Sequence, residues 1–231
     1  KKKKKKTLYA NRNIYKNIST NLVKVQSIDA TRMNNIKTNS IDIIYTDPPY
    51  SDIINYSELN LVWDSWLSFK SNYKNEMVIC EETGKSFKNY FVLFEKFLNE
   101  ASRVLKINKK LILIFNHPRI DHWSELQKVI INSKFKILDN LEPFRIVSNN
   151  KTSSQHKTNK KTQSFIAIVL ENKKKTNQIK LDTINEKTVN QIYKIALERN
   201  YTSKSQQYDF LINYSLTRYN LNTKEIFNLL S

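Results

Sequence analysis

Residues 40–50 read Ser40-Ile41-Asp42-Ile43-Ile44-Tyr45-Thr46-Asp47-Pro48-Pro49-Tyr50. The first seven are rich in β-branched and aromatic side chains and nearly continuous in apolar character. That is the pattern of a strand buried on both faces. The strand must stop at Asp47, because two prolines cannot continue a ladder. Such a strand belongs in an α/β sheet, where ligands bind beyond the carboxyl ends of the strands.

Outward from this stretch the elements alternate. Residues 22–28 form a short strand ending at Asp29-Ala30-Thr31. Residues 56–69 carry Leu59, Val62, Trp63, Trp66 and Leu67 at helical spacing. Ser86 caps a long helix whose stripe runs through Phe87, Tyr90, Phe91, Phe94, Phe97 and Leu98 to Leu105. That stripe fits packing on a sheet better than a cofactor box. Strands follow at 111–115, 135–138 and 165–170, with a helix at 123–131 carrying Trp123, Leu126, Val129 and Ile130 inward. After Lys173-Lys174-Lys175 the text turns polar and helical, over 186–199, 204–218 and 223–230. The expected architecture is therefore α/β, a mostly parallel sheet with an antiparallel strand near its end, plus C-terminal helices. It divides into a basic tail (1–20), an α/β domain (21–172) and a helical appendage (176–231).

Composition narrows the function classes. The chain has 231 residues with 39% apolar and 11% aromatic content, enough to fill a core. No apolar run approaches 18 residues, which excludes a long apolar membrane-spanning helix. Cys80 is the only cysteine, so neither an intrachain disulfide nor a multi-cysteine zinc cluster can form. His117 and His122 are five positions apart with Pro118 between them, a poor spacing for a shared metal, and no metal site is expected. No secretory leader is legible, so an intracellular location (cytoplasm or nucleoid) is expected. Lys and Arg number 39 against 21 Asp and Glu, for a net charge of +18. Six of those charges are the opening lysine run. The rest suggests a polyanionic partner, nucleic acid first and an anionic membrane surface second. An AT-rich coding bias towards Lys, Asn and Ile accounts for the charge equally well.

Asp47-Pro48-Pro49-Tyr50 carries the chemistry. By average composition this tetrapeptide arises by chance in about one chain of this size in a thousand. Methylating an aromatic exocyclic amine is hard because the nitrogen lone pair is delocalised into the ring. A site for it must accept hydrogen bonds from both N–H groups. Asp47 offers a carboxylate, and Pro48 a carbonyl whose direction is fixed by restricted dihedrals on both sides. Tyr50 offers a flat face for a base. These groups orient the amine and stabilise charge growing on nitrogen. The plain alternative is a tight turn that ends the strand.

Thr46-Asp47-Pro48-Pro49-Tyr50 resembles the amino-transfer motif of S-adenosylmethionine-dependent DNA amino-methyltransferases. Residues 47–59 (DPPYSDIINYSEL), Arg103-Val104-Leu105-Lys106, the following strand and Trp123 look like one branch, the adenine-specific DNA methylases. The resemblance spans about residues 22–170. It implies a partial Rossmann-like class I methyltransferase sheet, site-specific DNA methylation of the restriction-modification kind, and S-adenosyl-L-methionine as cofactor. It also implies DNA as partner, a target base flipped from the duplex, and phosphate contacts from residues 151–161 and the lysine-rich termini. By position it assigns Asp47, Pro48, Pro49 and Tyr50 to the target-amine pocket. It sets Asp29, with Asp47, near the donor. Tyr50, Tyr56, Asn116 and His117 fall to the substrate side. Asp29 also reads as a turn or helix cap, and Asn116-His117 as strand-ending turn chemistry.

The chain departs from that family at two points. No acidic residue that would grip the donor ribose is identifiable. A glycine-rich turn is expected after the first strand, and the only glycine is Gly84. Three explanations stand: part of a larger enzyme, one half of a split enzyme whose second chain binds the donor, or a degenerate copy. Adenine N6 is the expected acceptor, with cytosine N4 as the lesser option. The rival functions are a non-catalytic DNA-binding or regulatory subunit and an RNA or protein-glutamine methyltransferase.

Overall fold

The computed structural model describes residues 26, 28–68, 73–138, 144–147, 164–176 and 180–221. In chain order the elements are β1 (Ile41–Thr46), α1 (Tyr56–Leu67), α2 (Phe87–Val104), β2 (Leu105–Phe115), α3 (Ile120–Asn132), β3 (Phe135–Ile137), β4 (Phe144–Val147), β5 (Ser164–Asn172), β6 (Asp182–Thr183), α4 (Glu186–Glu198), α5 (Lys204–Ser215) and β7 (Tyr219–Asn220). Most of the strand expected at 22–28, the helix at 223–230 and the basic segment at 151–161 lie outside the described residues.

The main sheet runs β1-β2-β5-β3, with β4 also on β5. β1 and β2 are parallel, with Thr46 opposite Leu113. β5 is antiparallel to β2, β3 and β4. The expectation of a mostly parallel sheet therefore fails: the sheet is mixed, because β5 enters between β2 and β3 and three ladders run against it. Strand direction depends on this insertion, which leaves no trace in residue periodicity.

The expectation for residues 40–46 is corrected as well. β1 pairs with β2 alone among the described residues. Ile43 is 60% exposed and Tyr45 66%. Among the described residues this apolar strand lies at an edge, a place where native sheets are normally blunted or covered. α1 repeats the pattern. It buries none of its residues, and Trp63 and Trp66 stand exposed at its surface.

The core forms where α2, β2 and α3 meet. Ser86 caps α2 by accepting a hydrogen bond from the Asn89 N–H at 3.2 Å. The stripe from Tyr90 to Val104 turns inward, with Tyr90, Phe94, Leu98 and Ala101 fully buried. Each large apolar side chain so buried contributes about 1.5–3 kcal/mol relative to exposure. Phe115, the last residue of β2, gathers three aromatic rings edge-on: Trp123 at 5.0 Å, Tyr50 at 5.8 Å and Phe94 at 6.4 Å. Glu100 and Arg103 tie the approach to β1 onto α2. Glu100 accepts the Met33 N–H at 2.8 Å, and Arg103 donates to the carbonyls of Met33 and Ile36. Gln127 of α3 donates to the carbonyls of Leu216 and Tyr219 and accepts from the Leu221 N–H. Buried residues of α4 and α5 share the same apolar cluster. No helix among the described residues is long and apolar enough to cross a membrane.

Candidate functional site

The chain leaves β1 at Thr46 and turns through Asp47-Pro48-Pro49-Tyr50 at the carboxyl end of that strand. The side chain of Tyr50 is half-buried, with its ring edge-on to Phe115. Its hydroxyl donates to Oδ1 of Asp47, which lies on the exposed side of the turn. Burial, and then the Asp47 carboxylate, push the Tyr50 phenol well above its ordinary range. It is therefore a neutral donor across the physiological range. The next residue, Ser51, is fully buried with φ of 64°, a left-handed conformation that non-glycine residues rarely take. Its carbonyl accepts the Ile79 N–H at 3.2 Å. Tyr90 of α2, also fully buried, donates its hydroxyl to the Pro49 carbonyl at 2.6 Å. The turn is thus gripped from α2, from Phe115 and from the 77–80 segment.

Beside the prolines is a cavity of about 240 Å³. Pro48, Pro49, Thr46, Asp29, Thr31 and Phe97 are among its walls. The sequence places Asp29 and Pro48 nineteen positions apart; the fold brings them to one opening. Asp29 Oδ1 accepts from the Thr31 N–H at 2.8 Å and the Thr31 hydroxyl at 2.7 Å. That bonding is what holds its carboxyl below the usual range. Asp29 is therefore a turn residue and a cavity residue at once, so both readings of it stand.

Asn116 and His117 follow β2 directly. His117 is buried and uses both ring nitrogens. Nε2 bonds the Asp52 carboxylate at 2.8 Å, and Nδ1 accepts the Arg119 N–H at 3.1 Å. Its carbonyl accepts the Trp123 indole N–H at 2.8 Å. Asp52 comes two residues after Tyr50, so this bond is a further strap from β2 to the turn. His122 stacks on His117 with ring centres 3.4 Å apart and planes 16° apart. The two histidines, read from sequence as poorly spaced for a shared metal, are brought face to face where the chain passes from β2 into α3. Tyr56 begins α1 and is exposed. It borders neither cavity described here. Sequence reasoning missed Tyr90, Asp52 and His122. Tyr90 reads as one more member of the apolar stripe of α2, and only its hydroxyl could have marked it.

No protein-family profile matches the chain, and no curated protein does. Solved structures give a distant likeness. A candidate DNA modification methylase from Thermus thermophilus is 12% identical over 76% of this chain and 63% of that one, with a TM-score of 0.36. The same protein complexed with S-adenosyl-L-methionine gives 12% identity, 76% and 64% coverage, and a TM-score of 0.35. This chain thus spans a little under two thirds of the length of those structures.

Proposed function

We propose that this chain carries the amine-transfer site of a DNA amino-methyltransferase, with adenine N6 as acceptor and S-adenosyl-L-methionine as methyl donor. One observation carries the reading. A carboxylate and two prolines turn sharply at the carboxyl end of a parallel strand, and the prolines share an open cavity with Asp29.

In this reading the flipped base stacks on Tyr50. One amine hydrogen bonds the Asp47 carboxylate and the other the Pro48 carbonyl. Bound S-adenosyl-L-methionine would supply an electrophilic methyl for the nitrogen lone pair, and the electrons of its carbon–sulfur bond would stay on sulfur as the thioether leaves. Positive charge that grows on nitrogen is stabilised by Asp47 until the proton leaves to solvent. Asp29 is assigned to the donor's adenine. Asn116, directly after β2, is assigned to the base side, and His117 holds the turn through Asp52.

The alternative is a non-catalytic DNA-binding or regulatory subunit. The single glycine and the exposed apolar surface of β1 and α1 favour it, and equally favour a further segment or second chain that supplies the donor-binding part. Titration with S-adenosyl-L-methionine separates the two. Saturable binding supports the enzyme, and none supports the subunit or an enzyme completed by a partner. Comparing DNA, RNA and protein acceptors for methyl incorporation tests the substrate class.

A further inference from the structure

Behind the turn lies a second cavity, of about 820 Å³. Asp52, Glu81, Asp121, Glu125, Arg119 and His122 are among its walls, four carboxylates to one guanidinium. That sign is opposite to the chain's net charge of +18. An acidic wall alone proves nothing, since carboxylates commonly face water. The decisive group is His122. Its side chain is buried, its Nδ1 is bonded to Asp121 Oδ1 at 2.9 Å, and its Nε2 has no hydrogen-bond partner.

A carboxylate on Nδ1 fixes the proton there and leaves an in-plane lone pair on Nε2. Burying that acceptor without a donor is destabilising, so the site gains from any ligand that takes up the lone pair. This arrangement also matches how proteins prepare a metal-binding imidazole, with the outer nitrogen donating to a carboxylate. Asp52 is held in the complementary way. One of its oxygens is bonded to His117 Nε2 at 2.8 Å, and the carboxylate is partly exposed in the cavity wall. One donor atom each from Asp52, His117 and His122 lies within 4.8 Å of the others.

The stack limits how an ion can sit here. With planes 16° apart and centres 3.4 Å apart, a single cation cannot lie in the plane of both imidazoles. His117 moreover spends both nitrogens on Asp52 and Arg119. The ligands are therefore His122 Nε2 and the Asp52 carboxylate, with Asp121 and His117 as the groups that orient them. Nitrogen and oxygen ligands at about 2.0–2.2 Å from one ion stand about 3–4 Å apart, a separation that falls inside the 4.8 Å span of the cluster. Water, and the carboxylates of the cavity wall, complete the shell.

We propose that this cluster binds one divalent cation of the imidazole-and-carboxylate class, with Zn²⁺ as the representative ion. The cation lies outside the amine pocket and braces the turn through Asp52. This inference does not depend on the methyltransferase reading.

The test is calorimetric titration of the full chain with Zn²⁺ alone, paired with ¹⁵N spectra of the histidine rings. One saturating ion per chain is expected, together with a shift of the His122 Nε2 resonance. Asp121→Asn should weaken binding about tenfold or more. His122→Gln should abolish it. Should His122→Gln fail to fold, Asp52→Asn decides, because Asp52 is partly exposed and contributes a ligand atom. Absence of saturable binding overturns the proposal. So does wild-type affinity in Asp52→Asn, which would assign any bound zinc to other groups.

Discussion

The hydroxyl of Tyr90 donates to the carbonyl of Pro49 at 2.6 Å across 41 positions of sequence. One acceptor of the turn is thereby committed to the core, and the proline pair is held in a single orientation. Tyr90→Phe removes that donor and keeps the ring packing. We expect methyl transfer to fall about two- to tenfold, the worth of one hydrogen bond, with the far-ultraviolet spectrum unchanged. Steady-state rates and circular dichroism of the two proteins check this. Unchanged rates would show that Tyr90 is only core.

The ring and the hydroxyl of Tyr50 are predicted to separate in function. The ring is anchored on Phe115, and the hydroxyl occupies Asp47. Tyr50→Ala should weaken binding of DNA carrying an unpaired target base by about 1–3 kcal/mol, the value of one stacked base. Tyr50→Phe should retain that affinity and free the Asp47 oxygen for the incoming amine. Fluorescence of a base analogue at the target position reports both.

Asn172 is a buried clamp between α2 and the sheet. Its side-chain amide donates to the carbonyls of Ser102 at 2.9 Å and Leu105 at 2.7 Å. Asn172→Ala orphans both acceptors and should cost about 2–5 kcal/mol of stability in denaturant unfolding. A loss under about 0.5 kcal/mol would mean that water replaces the amide.

The Glu100–Arg103 pair gives a pH dependence with a definite sign. Hydrogen bonding from Arg103 holds the Glu100 carboxyl below its ordinary value of 4.5. A depressed folded value stabilises the native state at pH above the unfolded value. The contribution is lost as pH falls through the folded one. Wild type and Glu100→Gln should therefore differ in stability at neutral pH and converge in acid, once pH has fallen below the depressed folded value. Parallel curves at all pH values would contradict the assignment.

Several elements were legible because their determinants are local. The paired prolines ended β1 where expected, and the aromatic stripe of α2 faced the core behind its Ser86 cap. Three things were not legible. The insertion of β5 between β2 and β3 is a matter of strand order, which a period of two cannot encode. The exposure of Ile43 and Tyr45 depends on which neighbour covers β1, a property of the sheet and not of the strand. The stack of His117 on His122 forms across the passage from β2 into α3, whereas spacing along the chain suggested only a poor pair for a metal. In the candidate site, the motif itself was readable. Its supports, Tyr90 and Asp52, were not, because each acts from a distance through one polar atom.

The most direct test follows a labelled methyl group from S-adenosyl-L-methionine into duplex DNA in the active assembly, comparing wild type with Asp47→Ala. The account predicts label at adenine N6 for wild type. For the variant it predicts a loss of about a hundredfold or more with donor affinity retained. Undiminished incorporation by Asp47→Ala would contradict it.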